Sequence, residues 1–188
     1  MANTINATSG VGIVSTADNT NELILQTNGT NAVSIDSSQN VSFAQTLALG
    51  VSNTLMELTL SAAAETVTIA ATAATGTVNF DVSTQSILYY TSNASANWTL
   101  NIRGDGSTTL NSIMATGQSV TVTHLVTQGG TAYYNSAITV DGTSVTPKWS
   151  GGTAPSAGNA NSVDVYTYTL IKTGSGSFPV FASQTRYA

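Results

Sequence analysis

Short apolar stretches alternate with polar breaks from the start of the chain. Val11-Gly12-Ile13-Val14 gives way to Asp18-Asn19-Thr20-Asn21, and Glu22-Leu23-Ile24-Leu25-Gln26 runs into Asn28-Gly29. Asn-Gly is a strong turn dipeptide, because both residues accept positive φ. Ala32-Val33-Ser34-Ile35 alternates apolar with polar, Ser37-Ser38-Gln39-Asn40 interrupts it, and Val41-Ser42-Phe43 alternates again. A period of two is the signature of a half-buried strand. Each of these strands has only two or three apolar side chains, and an isolated hairpin is marginal in water. The pattern therefore predicts a segment over residues 1–50 that anchors or intertwines, completed by neighbouring subunits or ordered on a partner.

Longer strands follow from residue 51. Leu55-Met56-Glu57-Leu58-Thr59-Leu60 is one. Ala62-Ala63-Ala64-Glu65 could open a helix, but Thr66-Val67-Thr68-Ile69 is β-branched throughout and suits a pleated sheet. Further strands are predicted over 77–82, 86–91 and 98–103, the last ending at Gly104-Asp105-Gly106. Residues 119–126 alternate cleanly, turn at Gln128-Gly129-Gly130 and return over 131–140. Asp141-Gly142 then marks a hairpin before 143–149. A loop of Gly, Ala, Pro, Ser and Asn over 151–161 precedes a long strand over 163–173, and a final strand over 177–187 follows Gly174-Ser175-Gly176. Many strands at regular spacing with Gly-rich turns predict an all-β fold, an antiparallel sandwich or jelly roll, over residues 51–188.

Composition sharpens the class. Of 188 residues, four are Lys or Arg and nine are Asp or Glu, giving a net charge of −5. A typical soluble domain has roughly a quarter of its residues charged. Here hydroxyls and amides must keep the surface wet, a pattern of extracellular, self-associating structural proteins. Arg103, Lys148, Lys172 and Arg186 stand singly, so nucleic acid is not an expected partner. No apolar run approaches the ~20 residues of a membrane span, and the first residues carry no secretory signal pattern. With no cysteine, disulfides, thiolate nucleophiles and thiolate metal sites are all excluded.

Candidate chemistry is sparse. The single histidine, His124, shares a strand face with Val122 and Val126 and lacks partner ligands at metal spacing, so it reads as a packing or interface residue. No Gly-x-Ser-x-Gly elbow is present, and the carboxylates are scattered; Asp105 and Asp141, each before a glycine, read as turn residues. No catalytic residue, cofactor site or metal site is predicted. The aromatic side chains are the best contact candidates: Tyr90, Tyr134, Trp149 and Tyr166 could stack on sugars, core or interface packing being the competing role.

The stretch from Asp141-Gly142-Thr143-Ser144-Val145-Thr146-Pro147-Lys148-Trp149-Ser150-Gly151-Gly152, through Tyr166-Thr167-Tyr168-Thr169-Leu170-Ile171-Lys172, to Phe181-Ala182-Ser183-Gln184-Thr185 resembles the C-terminal module of virion proteins from tailed phages, cyanophages especially. The opening, with Leu23-Ile24-Leu25-Gln26-Thr27-Asn28-Gly29 and Ala32-Val33-Ser34-Ile35-Asp36, resembles the shaft-like repeats of phage tail fibres. The resemblance implies a homotrimer, a virion location and a non-enzymatic role. The expected protein is a short surface appendage on tail, neck or capsid, docked on other virion proteins through residues 1–50. A capsid-stabilising decoration and a glycan-binding receptor module are the alternatives.

Overall fold

The computed structural model describes residues 23–27, 29–44 and 62–188, which fall into two compact units, 1–61 and 62–188. The strands expected at Val11–Val14 and Leu55–Leu60, and the expected domain boundary after residue 50, lie outside the described residues.

In the first unit, β1 (Leu23–Thr27), β2 (Thr30–Ile35) and β3 (Val41–Phe43) form an antiparallel meander. Gly29, at φ 74°, makes the first turn. The second turn is built on Asp36, whose Oδ1 accepts the amides of Ser38 and Asn40, both at 2.9 Å. Those bonds favour the charged carboxylate and hold its pKa below the usual range, with the Asn40 side chain contributing most. This leaves Gln39 free to take its positive φ of 68°.

The second unit is all-β except for one short α-helix and a 3-10 turn at Ser150–Gly152. It comprises β4 (Val67–Ala73), β5 (Gly76–Asp81), β6 (Ile87–Ser92), β7 (Trp98–Arg103), helix α1 (Leu110–Ile113), β8 (Ser119–Thr127), β9 (Asn135–Val140), β10 (Thr143–Val145), β11 (Lys148–Trp149), β12 (Val163–Ile171) and β13 (Val180–Tyr187). Two sheets result: a four-stranded one in the order β10-β9-β7-β5, and a six-stranded one in the order β11-β13-β12-β8-β6-β4.

Both sheets turn their apolar sides to one core. Val78, Phe80, Leu100, Ile102, Ile138 and Val140 come from the four-stranded sheet; Leu88, Val122, Val126, Tyr168, Leu170 and Val180 come from the six-stranded one. The expected sandwich is present, but not the expected antiparallel pairing throughout. From β4 to β9 the chain crosses from one sheet to the other after every strand, so β4, β6 and β8 pair in parallel and β5, β7 and β9 do likewise. These six strands make three turns of a flattened coil. A parallel pair needs a long crossover, and here the strand in the opposite sheet supplies it. Antiparallel pairing is confined to β8-β12-β13 and the β9-β10 hairpin.

The arches between the sheets are short. Ala74, fully buried, and Thr75 alone link β4 to β5, and the β6–β7 arch bonds to it through Ser95 N to Ala74 O at 3.2 Å. The longest excursion, 104–118, holds α1. Its N-cap Thr109 accepts from Ser112 N at 3.1 Å, and Asp141 accepts from Leu110 N at 2.7 Å and Asn111 N at 2.9 Å. Lys172, nearly buried, donates to the carbonyls of Asn111 and Met114 at the helix end, the latter at 2.8 Å. A cation on terminal helix carbonyls satisfies groups that have no partner within the helix.

Candidate functional site

Strand β8 places His124 in the interior, in one cross-strand row with Leu88 and Tyr166. It is fully buried, with ring centroids of Tyr90 at 5.5 Å, Trp98 at 5.8 Å and Tyr166 at 6.5 Å. Neither ring nitrogen has a hydrogen-bond partner, nor does Trp98 Nε1. Burial pushes the imidazole pKa down to about 3, so the ring is neutral at ordinary pH. No group of three His, Cys, Asp or Glu side chains among the described residues could hold a metal. The ring therefore acts as an aromatic packing element with edge-on neighbours.

The aromatic contact candidates do not converge on one platform. Tyr166 is wholly buried, which overturns its candidacy for surface contact. Alternation explains this: Asp164, Tyr166, Tyr168 and Leu170 all point into the core, while Val165, Thr167 and Thr169 point out. The rings of Tyr166 and Tyr168 stack 6.3 Å apart, and their hydroxyls end in a buried polar group. Tyr168 donates to Asn135 Oδ1 at 2.9 Å, and Tyr166 accepts from Gln184 Nε2 at 3.0 Å. Burial, with Asp164 nearby, raises the Tyr166 pKa well above the phenol range. Tyr90 is half-buried beside His124. Tyr134 is half-buried on the 128–134 loop, where its amide bonds Asn97 Oδ1 at 3.0 Å.

Trp149 is the candidate that reaches solvent at a concave place. Its inner side meets Tyr168 edge-on at 6.2 Å, and it borders two clefts. One, of about 270 Å³, is lined by Asn135, Ser136, Ser144, Pro147 and Pro155. The other, of about 430 Å³, is lined by Lys148, Thr167, Thr169, Phe181 and Ser183, with the Lys148 ammonium 5.8 Å from the Phe181 ring.

Asp105, Asp141 and Asp164 are engaged structurally. Asp105 holds its own loop through the amides of Ser107 at 2.8 Å and Thr108 at 2.7 Å, which lowers its pKa to about 2. That is the opposite of what a general acid needs. Asp141 caps α1 as well as making the expected turn, at φ 50° before Gly142 at φ 78°. Sequence reading missed this second role, and nothing local in the sequence signals it. It also missed Asp164, fully buried, which accepts from Asn159 Nδ2 at 2.6 Å, Asn159 N at 3.0 Å and Gln128 Nε2 at 3.1 Å. These bonds tie the 151–161 loop and the start of the 128–134 loop to β12.

The surfaces divide sharply by polarity. In the meander, register sets Leu23, Ile35 and Val41 in one row and Leu25, Val33 and Phe43 in the next, so all six apolar side chains share one face. That face is open: Leu25 and Val41 are each 54% exposed. The outer face of the four-stranded sheet is the opposite in character. Asn79, Asn101 and Thr139 bond in a ladder at 2.9 and 2.8 Å, and Arg103 pairs with Asp81 at 2.6 Å. Compared with protein-family models, curated proteins and solved structures, the chain matches none.

Proposed function

We propose that this chain is a non-enzymatic structural protein of a tailed-phage particle: a homotrimeric surface appendage anchored by its N-terminal segment, with the C-terminal unit facing outward. The observation that carries the reading is the meander of β1 to β3. Six apolar side chains on one side of three short strands have no second layer within the unit's described residues, and an open apolar face of this kind marks an interaction surface. Copies of the same face, packed around a common axis, supply the missing layer without burying any charge. The low charge of the chain and the resemblance of residues 141–185 to phage virion modules agree with this role.

The test is direct. Sedimentation equilibrium of the full chain at micromolar concentration is expected to give three times the chain mass, and gold-labelled antibody is expected to mark a fixed place on the particle. A monomer by sedimentation together with unlabelled particles overturns the proposal.

A second reading, recognition of host polysaccharide, has one observation in its favour. Trp149 borders two clefts whose other walls carry amides and hydroxyls, the usual partners of sugar rings and their hydroxyls. Loss of cell binding in Trp149→Ala, with unchanged sedimentation, is the result that would establish it.

A further inference from the structure

We infer that the outer face of the six-stranded sheet is a docking surface for a second copy of this chain. The inference deepens the homotrimer reading and rests on it.

The register builds an apolar patch on this face. Ile69, Tyr89, Leu125 and Val165 form one unbroken row across β4, β6, β8 and β12, and Val67 and Ile87 lie beside it on β4 and β6. Ile69 is 68% exposed and Val67 44%. The apolar patch lies toward β4 and β6, and the face becomes hydroxyl-rich toward β12 and β13, where Thr121, Thr123, Thr167, Thr169 and Ser183 point outward.

Three features commit the patch to a copy of this chain. First, none of the outward positions on β4, β6, β8, β12 and β13 is acidic or basic. Two chains of net charge −5 can therefore meet over these five strands without opposing a charge; the cation on this face, Lys148, lies at its β11 margin beside Phe181. Second, the extent fits. Five strands at about 4.8 Å spacing, with nine-residue β12 about 30 Å long, present roughly 700 Å², close to the ~800 Å² per partner of a standard interface. Third, among the described residues β4 is the edge of the sheet and has no charge or proline to keep another strand away, its pairing being irregular only between Ala70 and Ala73. Bare edges of this kind are normally covered.

The absence of cysteine makes a clean test possible. Full-length Ile69→Cys, and Leu125→Cys as a second reporter, are compared with Thr77→Cys, an exposed position on the four-stranded sheet. The readout is the rate of maleimide labelling, with sedimentation velocity at the same concentration. The expected result is an oligomer in which Ile69→Cys labels at least tenfold more slowly than Thr77→Cys, the rates converging as dilution separates the chains. Equal rates in an intact oligomer overturn this inference and leave the homotrimer standing. Equal rates on a single-chain species overturn both. Protection on a single-chain species also overturns both, because another part of the same chain would then be the cover.

Discussion

At the scale of single residues, His124 is the most consequential. Its folded pKa, about 3, lies below the ordinary 6.5, so the unfolded chain takes up a proton that the folded chain refuses. Stability is then fully present above pH 6.5 and is lost as pH falls toward 3, by up to a few kcal/mol for a group this buried. Asp36 and Asp105, held below the usual 3.8, add their own loss only under more acid conditions. The window from about pH 4.5 to 6.5 therefore isolates the histidine. Thermal melts of His124→Phe are expected to be flat across that window, where the parent chain gains stability with rising pH. Phenylalanine also removes two unpartnered nitrogens, so no loss is expected at pH 7. Asp141 offers a second case. Asp141→Ala is expected to cost about 1–2 kcal/mol through the lost cap on α1. Asp141→Asn is expected to cost less, because asparagine tolerates the positive φ and retains one acceptor. Denaturant midpoints with unchanged m-values would measure both.

At the scale of elements, the loop over 151–161 is held by one close approach and one buried carboxylate. A Cβ on Gly158 would collide with the carbonyl oxygen of Tyr133 and sit 3.0 Å from Asp164 Oδ2. Backbone cannot retreat as a flexible side chain can. Gly158→Ala is thus expected to cost about 1–3 kcal/mol, lowering the melting temperature by several degrees while leaving the far-ultraviolet spectrum β-like. Several strands were plain in the sequence: β7 occupies 98–103 as its apolar alternation and the following Gly-Asp-Gly turn indicate, and β8 and β12 fall where alternation is longest; the strand expected to return over 131–140 instead begins at Asn135 and lies in the opposite sheet from β8. The pairing was not. Parallel strands are usually covered on both faces and read as continuous apolar runs. Here each has one exposed face and so alternates like a hairpin strand. A two-residue link such as Ala74-Thr75 looks the same whether it turns back within a sheet or arches across to the other. Only the partner strand, fixed by the whole core, decides between them. The same holds for Tyr166. Its strand has hydroxyl and apolar residues on both sides, and the inward row includes Asp164, so composition could not show which row faces inward.

At the scale of the whole molecule, two units each have an open apolar face, and a chain with thirteen charged side chains has little electrostatic means of staying dispersed. The proposed assembly would cover both faces. The double variant Leu25→Lys with Phe43→Lys sets two cations among the apolar side chains of the meander. It is expected to shift sedimentation from trimer toward monomer at micromolar concentration. The β-sheet spectrum, dominated by residues 62–188, is expected to remain. A trimer that survives both lysines would show that the meander face is not what holds the copies together.

The three-turn coil has a consequence for how such a protein can vary. Each turn leans only on the one before and the one after, so copying a whole turn lengthens both sheets by one strand and leaves the terminal strands as they were. The excursion holding α1 already shows that an arch can swell without disturbing the ladder beneath it. Stature and ornament are thereby separable: one lineage could grow taller by duplication, another could elaborate its corners, and neither would need a redesigned interior.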